Sequence, residues 1–171
     1  EFELKLYSKV IENFVLFQNF KVGVLSPIDI SGERSVVPPS ARFFMGGTGI
    51  PYGEMLRGYT ENRVGPFGST RGGNVMLKYS LEFRLSLSVN PTIYALSFFD
   101  MGNVWSSFDI VDPFDLKRSA GLGVRVFIPM LGMLGYDVGY GFDATDYDTY
   151  YNNGIVKPHG WEYHLIFGMP F

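Results

Sequence analysis

The side chains with the greatest chemical reach in this sequence are one arginine and two carboxylates. Arg57 stands in Met55-Leu56-Arg57-Gly58-Tyr59, within a long polar and Gly/Pro-rich segment, 48–73. Glu82 lies on the polar face of an alternating run, with Lys78 and Arg84 on the same face. If Phe99 and Met101 face the apolar side of the next run, Asp100 shares the polar side with Glu82. Two carboxylates on neighbouring strands are attractive partners for one guanidinium, whose planar fork of five donors pairs bidentately with carboxylate oxygens. Gly58 permits a tight turn beside that arginine, and Tyr59 would stack against a wall. The bland alternative is a solvated loop arginine with no fixed partner.

The remaining reactive residue types point to little chemistry. His159 and His164 are too few and too far apart for a metal site, and loop and lumen roles are expected for them. Asp143, Asp146 and Asp148 lack the spacing of an EF-hand loop, and with Asp109, Asp112 and Asp115 they read as wet loops. Gly46-Gly47-Thr48-Gly49 and Gly121-x-Gly123 precede no helix that would make them phosphate loops. Close backbone approach or bending of a sheet is expected there. No nucleophile–base pair stands out, so no enzymatic activity and no cofactor are expected. A chain without Cys has neither a disulfide framework nor thiol chemistry. A net charge of −3 with no Lys/Arg-dense face argues against a nucleic-acid partner.

The elements that must position these residues are strands. In 74–89 the odd positions from Val75 to Val89 are all apolar, while the even ones are nearly all polar. Trp161, Tyr163, Leu165, Phe167, Met169 and Phe171 alternate with Glu162, His164, Ile166, Gly168 and Pro170, and 134–142 sets Leu, Tyr, Val, Tyr and Phe against Gly and Asp. Weaker strands are expected at 1–9, 13–25, 42–47, 92–105 and 116–128. That makes eight strands. Short links at 10–12, 89–91 and 129–133 alternate with long ones at 26–41, 48–73, 106–115 and 143–159, the pattern of periplasmic turns and extracellular loops in an outer-membrane barrel. A soluble sandwich or lipocalin-like barrel also alternates. Against it stand the aromatics near strand ends (Trp105, Phe142, Trp161, Phe171), which suit interfacial girdles, and opposite faces of Gly, Ser and charge, which suit a wet lumen. No run of 18 apolar residues exists to form a membrane-spanning helix. Glu1-Phe2-Glu3-Leu4 reads as strand, without a starting Met or a leader, and a piece of a longer protein is expected.

The ordered series Arg57-Gly58-Tyr59, Ser80-Leu81-Glu82-Phe83, Phe98-Phe99-Asp100-Met101-Gly102-Asn103-Val104-Trp105 and Ser119-Ala120-Gly121-Leu122-Gly123-Val124-Arg125, followed by the aromatic carboxyl end, resembles the BamA family of POTRA-plus-barrel insertases and translocases. The resemblance covers about 42–171. It implies an all-β, transmembrane antiparallel β-barrel in the bacterial outer membrane, with about eight strands here forming the C-terminal half of a 16-stranded barrel. The other half and the periplasmic POTRA domains would precede it. The loop 48–73 would fold back into the barrel, with Arg57 reaching Glu82 and Asp100 in a partly hydrated lumen, where breaking the pair costs on the order of 1–3 kcal/mol. The last strand, with Tyr163, Leu165, Phe167, Gly168 and Phe171, would form a weak first–last seam that acts as a lateral gate for client strands. The implied activity is insertion and folding of outer-membrane proteins without ATP, with unfolded barrel clients, accessory lipoproteins and outer-membrane lipids as partners. A translocating relative of the same superfamily and a passive porin-like barrel are the alternatives.

Overall fold

Period-two alternation becomes seven antiparallel strands in the computed structural model, which describes residues 1–27, 37–66, 72–130 and 132–168. These are β1 (Phe2–Ile11), β2 (Phe14–Val24), β3 (Val75–Val89), β4 (Thr92–Trp105), β5 (Lys117–Ile128), β6 (Gly132–Gly141) and β7 (Gly160–Gly168), with one short helix, α1 (Asp146–Tyr151). They form a single sheet in chain order, each strand hydrogen-bonded to its sequence neighbours. β1 and β7 are its two edges, so the sheet is a partial barrel wall. Among the described residues no helix is long and apolar enough to cross a membrane.

Register decides which polar residues share a level on the inner face. Glu82 lies opposite Phe17 and Phe98, and Phe98 opposite Gly121. Asp100 lies between Ser80 and Ser119. Asp137 lies between Gly123 and His164. The alternate residues point the other way. Trp161, Tyr163, Leu165 and Phe167 of β7 are 62–64% exposed, whereas Asp100 and Asp137 are fully buried. A soluble domain hides its large apolar side chains and exposes its charges. This sheet does the reverse, as a wall between hydrocarbon and a filled interior must.

The expected strand at 42–47 does not join the sheet. It makes isolated bridges only, Phe43 to Gly73, Met45 to Glu54 and Val64, and Gly47 to Leu56. Gly46 and Gly47 take φ of +130° and +61°, which interrupts any ladder. Phe43 and Met45 instead turn onto the inner face. With 42–47 absorbed into the connection between β2 and β3, the two consecutive long links expected around it become one, and short turns and long connections alternate strictly along the sheet. Met169, Pro170 and Phe171 lie outside the described residues.

The two tryptophans both fall on outward positions of their strands but differ sharply in exposure. Trp161 is 64% exposed, but Trp105 is only 6% exposed and so does not belong to a surface girdle. In the membrane-inserted protein, lipids brominated on their acyl chains are expected to quench one of the two emissions and spare the other. Trp161→Phe should abolish that quenching. Equal quenching of both residues, or of neither, would contradict the exposure of Trp161 and the cover over Trp105.

Candidate functional site

Within the connection between β2 and β3, residues 42–66 fold into a small body against the inner face. Its apolar centre is Phe43, Met45, Leu56, Tyr59 and Val64, packed on Met76 of β3 and Val104 of β4. Met45, Leu56, Tyr59 and Met76 are fully buried, and each buried side chain of this size contributes about 1.5–3 kcal/mol. Inside the body Glu61 accepts hydrogen bonds from the Thr48 amide and hydroxyl, both at 2.5 Å, and from the Gly49 amide at 3.0 Å. Glu54 joins it to the wall through ion pairs with Lys21 and, at 3.7 Å, Lys78. Of the expected inward segment, 48–73, residues 48–66 belong to this body together with 42–47 just before them, and 67–71 lie outside the described residues.

The tip of this body is Arg57-Gly58-Tyr59, and the structure brings Arg57 against both expected carboxylates. Nε and Nη2 of Arg57 donate to the two oxygens of Asp100 at 2.7 and 2.9 Å, a fork on one carboxylate. Nη1 lies 2.7 Å from Glu82 Oε1. A third acid, Asp137, lies 3.5 Å from Nη1, and the Phe98 ring sits under the guanidinium at 3.9 Å. Arg125 clasps Asp137 through both terminal nitrogens, and Arg84 holds the second oxygen of Glu82 at 2.7 Å. Burial works against the charge on Arg57, but Asp100, then Glu82 and Asp137, outweigh it and push the guanidinium above its ordinary range.

These ions are dry. Arg57 is 1% exposed and Asp100 and Asp137 0%, so the partly hydrated lumen expected from sequence does not describe this cluster. Removing one partner from a buried pair costs about 3–5 kcal/mol, because the other is left uncompensated.

Gly58 and Tyr59 complete the seat. Gly58 adopts φ +81°, and a Cβ there would come within 2.9 Å of Ser119 and 3.1 Å of the β6 backbone. The wall is equally bare opposite it: a Cβ on Gly139 would meet Gly58 N at 2.8 Å, and one on Gly141 would meet Gly58 O at 2.5 Å. The Tyr59 hydroxyl donates to the Arg118 carbonyl at 2.7 Å and accepts from the Asp143 amide at 3.3 Å, while its ring lies 5.2 Å from that of His159. Burial pushes the Tyr59 phenol up, so it remains a neutral donor. His164 accepts from the Gly58 amide at 2.9 Å.

Sequence reasoning missed Asp137, Arg125, His164 and Phe98 as partners of the tip. The signal was parity, since all four fall on the inner positions of their strands. The residues expected at a seam are not gathered at the tip. Tyr163, Leu165 and Phe167 point outward from the edge strand β7, and Gly168 ends it in open space, with nothing within 4 Å of a Cβ placed there.

An outward-apolar strand wall with a loop body pinned to its inner face defines a class of membrane barrel, and comparison with known proteins agrees. The profile of the Omp85 superfamily domain matches residues 1–165. The chain belongs to the Omp85 superfamily. Among solved structures it is similar to BamA from Haemophilus ducreyi lacking POTRA domains 1–3, with a TM-score of 0.68 at 17% sequence identity, over 96% of this chain and 33% of that one. The chain thus spans about a third of that BamA's length, and the likeness is one of fold. No curated protein matches the chain. Family and fold together place it in the wall of an outer-membrane β-barrel.

Proposed function

We propose that this chain is the C-terminal half of the barrel of a non-enzymatic insertase, which folds β-barrel clients into the outer membrane through a lateral seam. The observation that carries the reading is the Arg57 tip, held by three buried carboxylates on three strands of the wall, β3, β4 and β6. Such an anchor fixes the inner face of the wall while leaving the β1 and β7 edges to other strands. β7 presents apolar residues to lipid along its free edge, and an exposed strand edge is a template for pairing. Templating by edge pairing uses main-chain hydrogen bonds and needs neither a nucleotide nor a cofactor. On this reading a 16-stranded barrel is completed by the preceding half, POTRA domains lie in the periplasm, and unfolded clients, accessory lipoproteins and outer-membrane lipids are the partners.

The test is reconstitution of the full-length protein in liposomes. Accelerated folding of a supplied barrel substrate over protein-free liposomes is expected. Ion conductance without any acceleration would sink the reading in favour of a passive pore, and passage of a soluble passenger without insertion would favour a translocase.

A further inference from the structure

Both histidines of the chain end on the backbone of the same loop tip. Nε2 of His164 accepts from the Gly58 amide at 2.9 Å, and Nε2 of His159 accepts from the Thr60 amide at 3.3 Å. The amides on either side of Tyr59 are thus each met by an imidazole lone pair. An N–H can donate only to a ring nitrogen without a proton. Nδ1 of His159 faces the Asp148 carboxylate at 2.8 Å, and in the neutral ring a proton there leaves Nε2 to accept.

We propose that His164 and His159 form an acid-labile clamp on the Arg57-Gly58-Tyr59 tip, with His164 as its switch. This goes beyond the insertase reading and does not depend on it. The charged groups around His164 come from three elements: Glu162 on its own strand, Asp137 across on β6, and Arg57 and Glu61 from the inward body. Asp137 is already held by Arg125 and Arg57. A proton on Nε2 of His164 removes the acceptor for Gly58 and adds a further positive charge near Arg57. His159 differs, because Asp148 of α1 and Glu162 of β7 flank its two nitrogens, at 2.8 and 3.2 Å. Its protonated ring keeps two carboxylate partners while losing the Thr60 amide.

An unperturbed imidazole changes its charge between about pH 5 and 8, and a proton on His164 leaves the fork of Arg57 on Asp100 in place. Acidification therefore loosens the tip backbone without expelling the guanidinium. Positioning is the role of both histidines.

Amide hydrogen exchange over residues 56–60, in the whole protein in lipid nanodiscs and corrected for the intrinsic rate at each pH, reads the clamp directly. Protection is expected to fall by about tenfold between about pH 7.5 and about pH 5, with β3 amides unchanged. His164→Gln supplies a carbonyl acceptor that does not titrate, and its protection should stay high at both pH values. His164→Ala should be poorly protected at both. A flat profile in the unmodified protein overturns the clamp whatever the variants do, and an undiminished fall in H164Q overturns the assignment of the switch. Exchange is measured without any client, so failure of the insertase reading would leave this result standing.

Discussion

Arg57→Ala is expected to release the inward body from the wall at a cost of about 3–5 kcal/mol. The substitution removes the one guanidinium shared by Glu82, Asp100 and Asp137. Arg125 and Arg84 still neutralise part of Asp137 and Glu82, but Asp100 is fully buried and loses both hydrogen bonds to its oxygens from the fork. Limited proteolysis and amide exchange of residues 48–66 should show the body opening while the strands persist. Arg57→Lys should recover only part of the loss, since an ammonium cannot fork across Asp100 and reach Glu82 together. The double variant Arg57→Ala with Asp100→Asn should cost less than the single arginine variant, as one buried charge goes with its partner. If Arg57→Ala left exchange in 48–66 unchanged, the anchor would be ornamental and the reading built on it would fall.

The second large effect needs no change of charge. Gly139 and Gly141 sit in β6 without a positive φ, so their backbones accept any L residue. A β-branched residue even suits a strand better than glycine does. Gly141→Val should nonetheless destabilise the seated tip by about 3 kcal/mol, the upper end of the overpacking range. The new side chain would meet Gly58 O at 2.5 Å and the Tyr59 ring at 3.1 Å. Gly168→Val is the control, because nothing lies within 4 Å of a Cβ there. Thermal melts of the two variants, with exchange of residues 56–60, separate loss of room from a general effect on strands. Equal behaviour of the two would show that the tip does not use the bare wall.

Much of this architecture is legible in the sequence because alternation has one period and two consequences. The parity that makes Leu77 and Leu81 outward also makes Lys78 and Glu82 inward, so the wall and its polar lining emerge together. Arg57 stands out because a fork of donors beside glycine and tyrosine has few other uses in a long loop. Asp137 was harder to read. Its face carries mostly glycine, and the level at which it meets Arg57 depends on the register between β4, β5 and β6, which no single strand encodes. Arg125 was hidden for the same reason. The segment 42–47 has apolar residues but no long period, and only the packing of Phe43 and Met45 on Met76 and Val104 shows that it belongs to the body. The dryness of the ion cluster was illegible too, because it follows from how the body covers the wall.

The bare stretch of wall at Gly139 and Gly141 has a genetic consequence. A lost charge at the anchor can be restored by a compensating charge on another strand, so Arg57 or Asp100 variants should yield second-site revertants. A bulky residue on the glycine patch presses on the main chain of the tip itself, and no exchange of side chains elsewhere can make that backbone thinner. Selection for restored loop seating from a Gly141→Val parent should therefore return true revertants and little else.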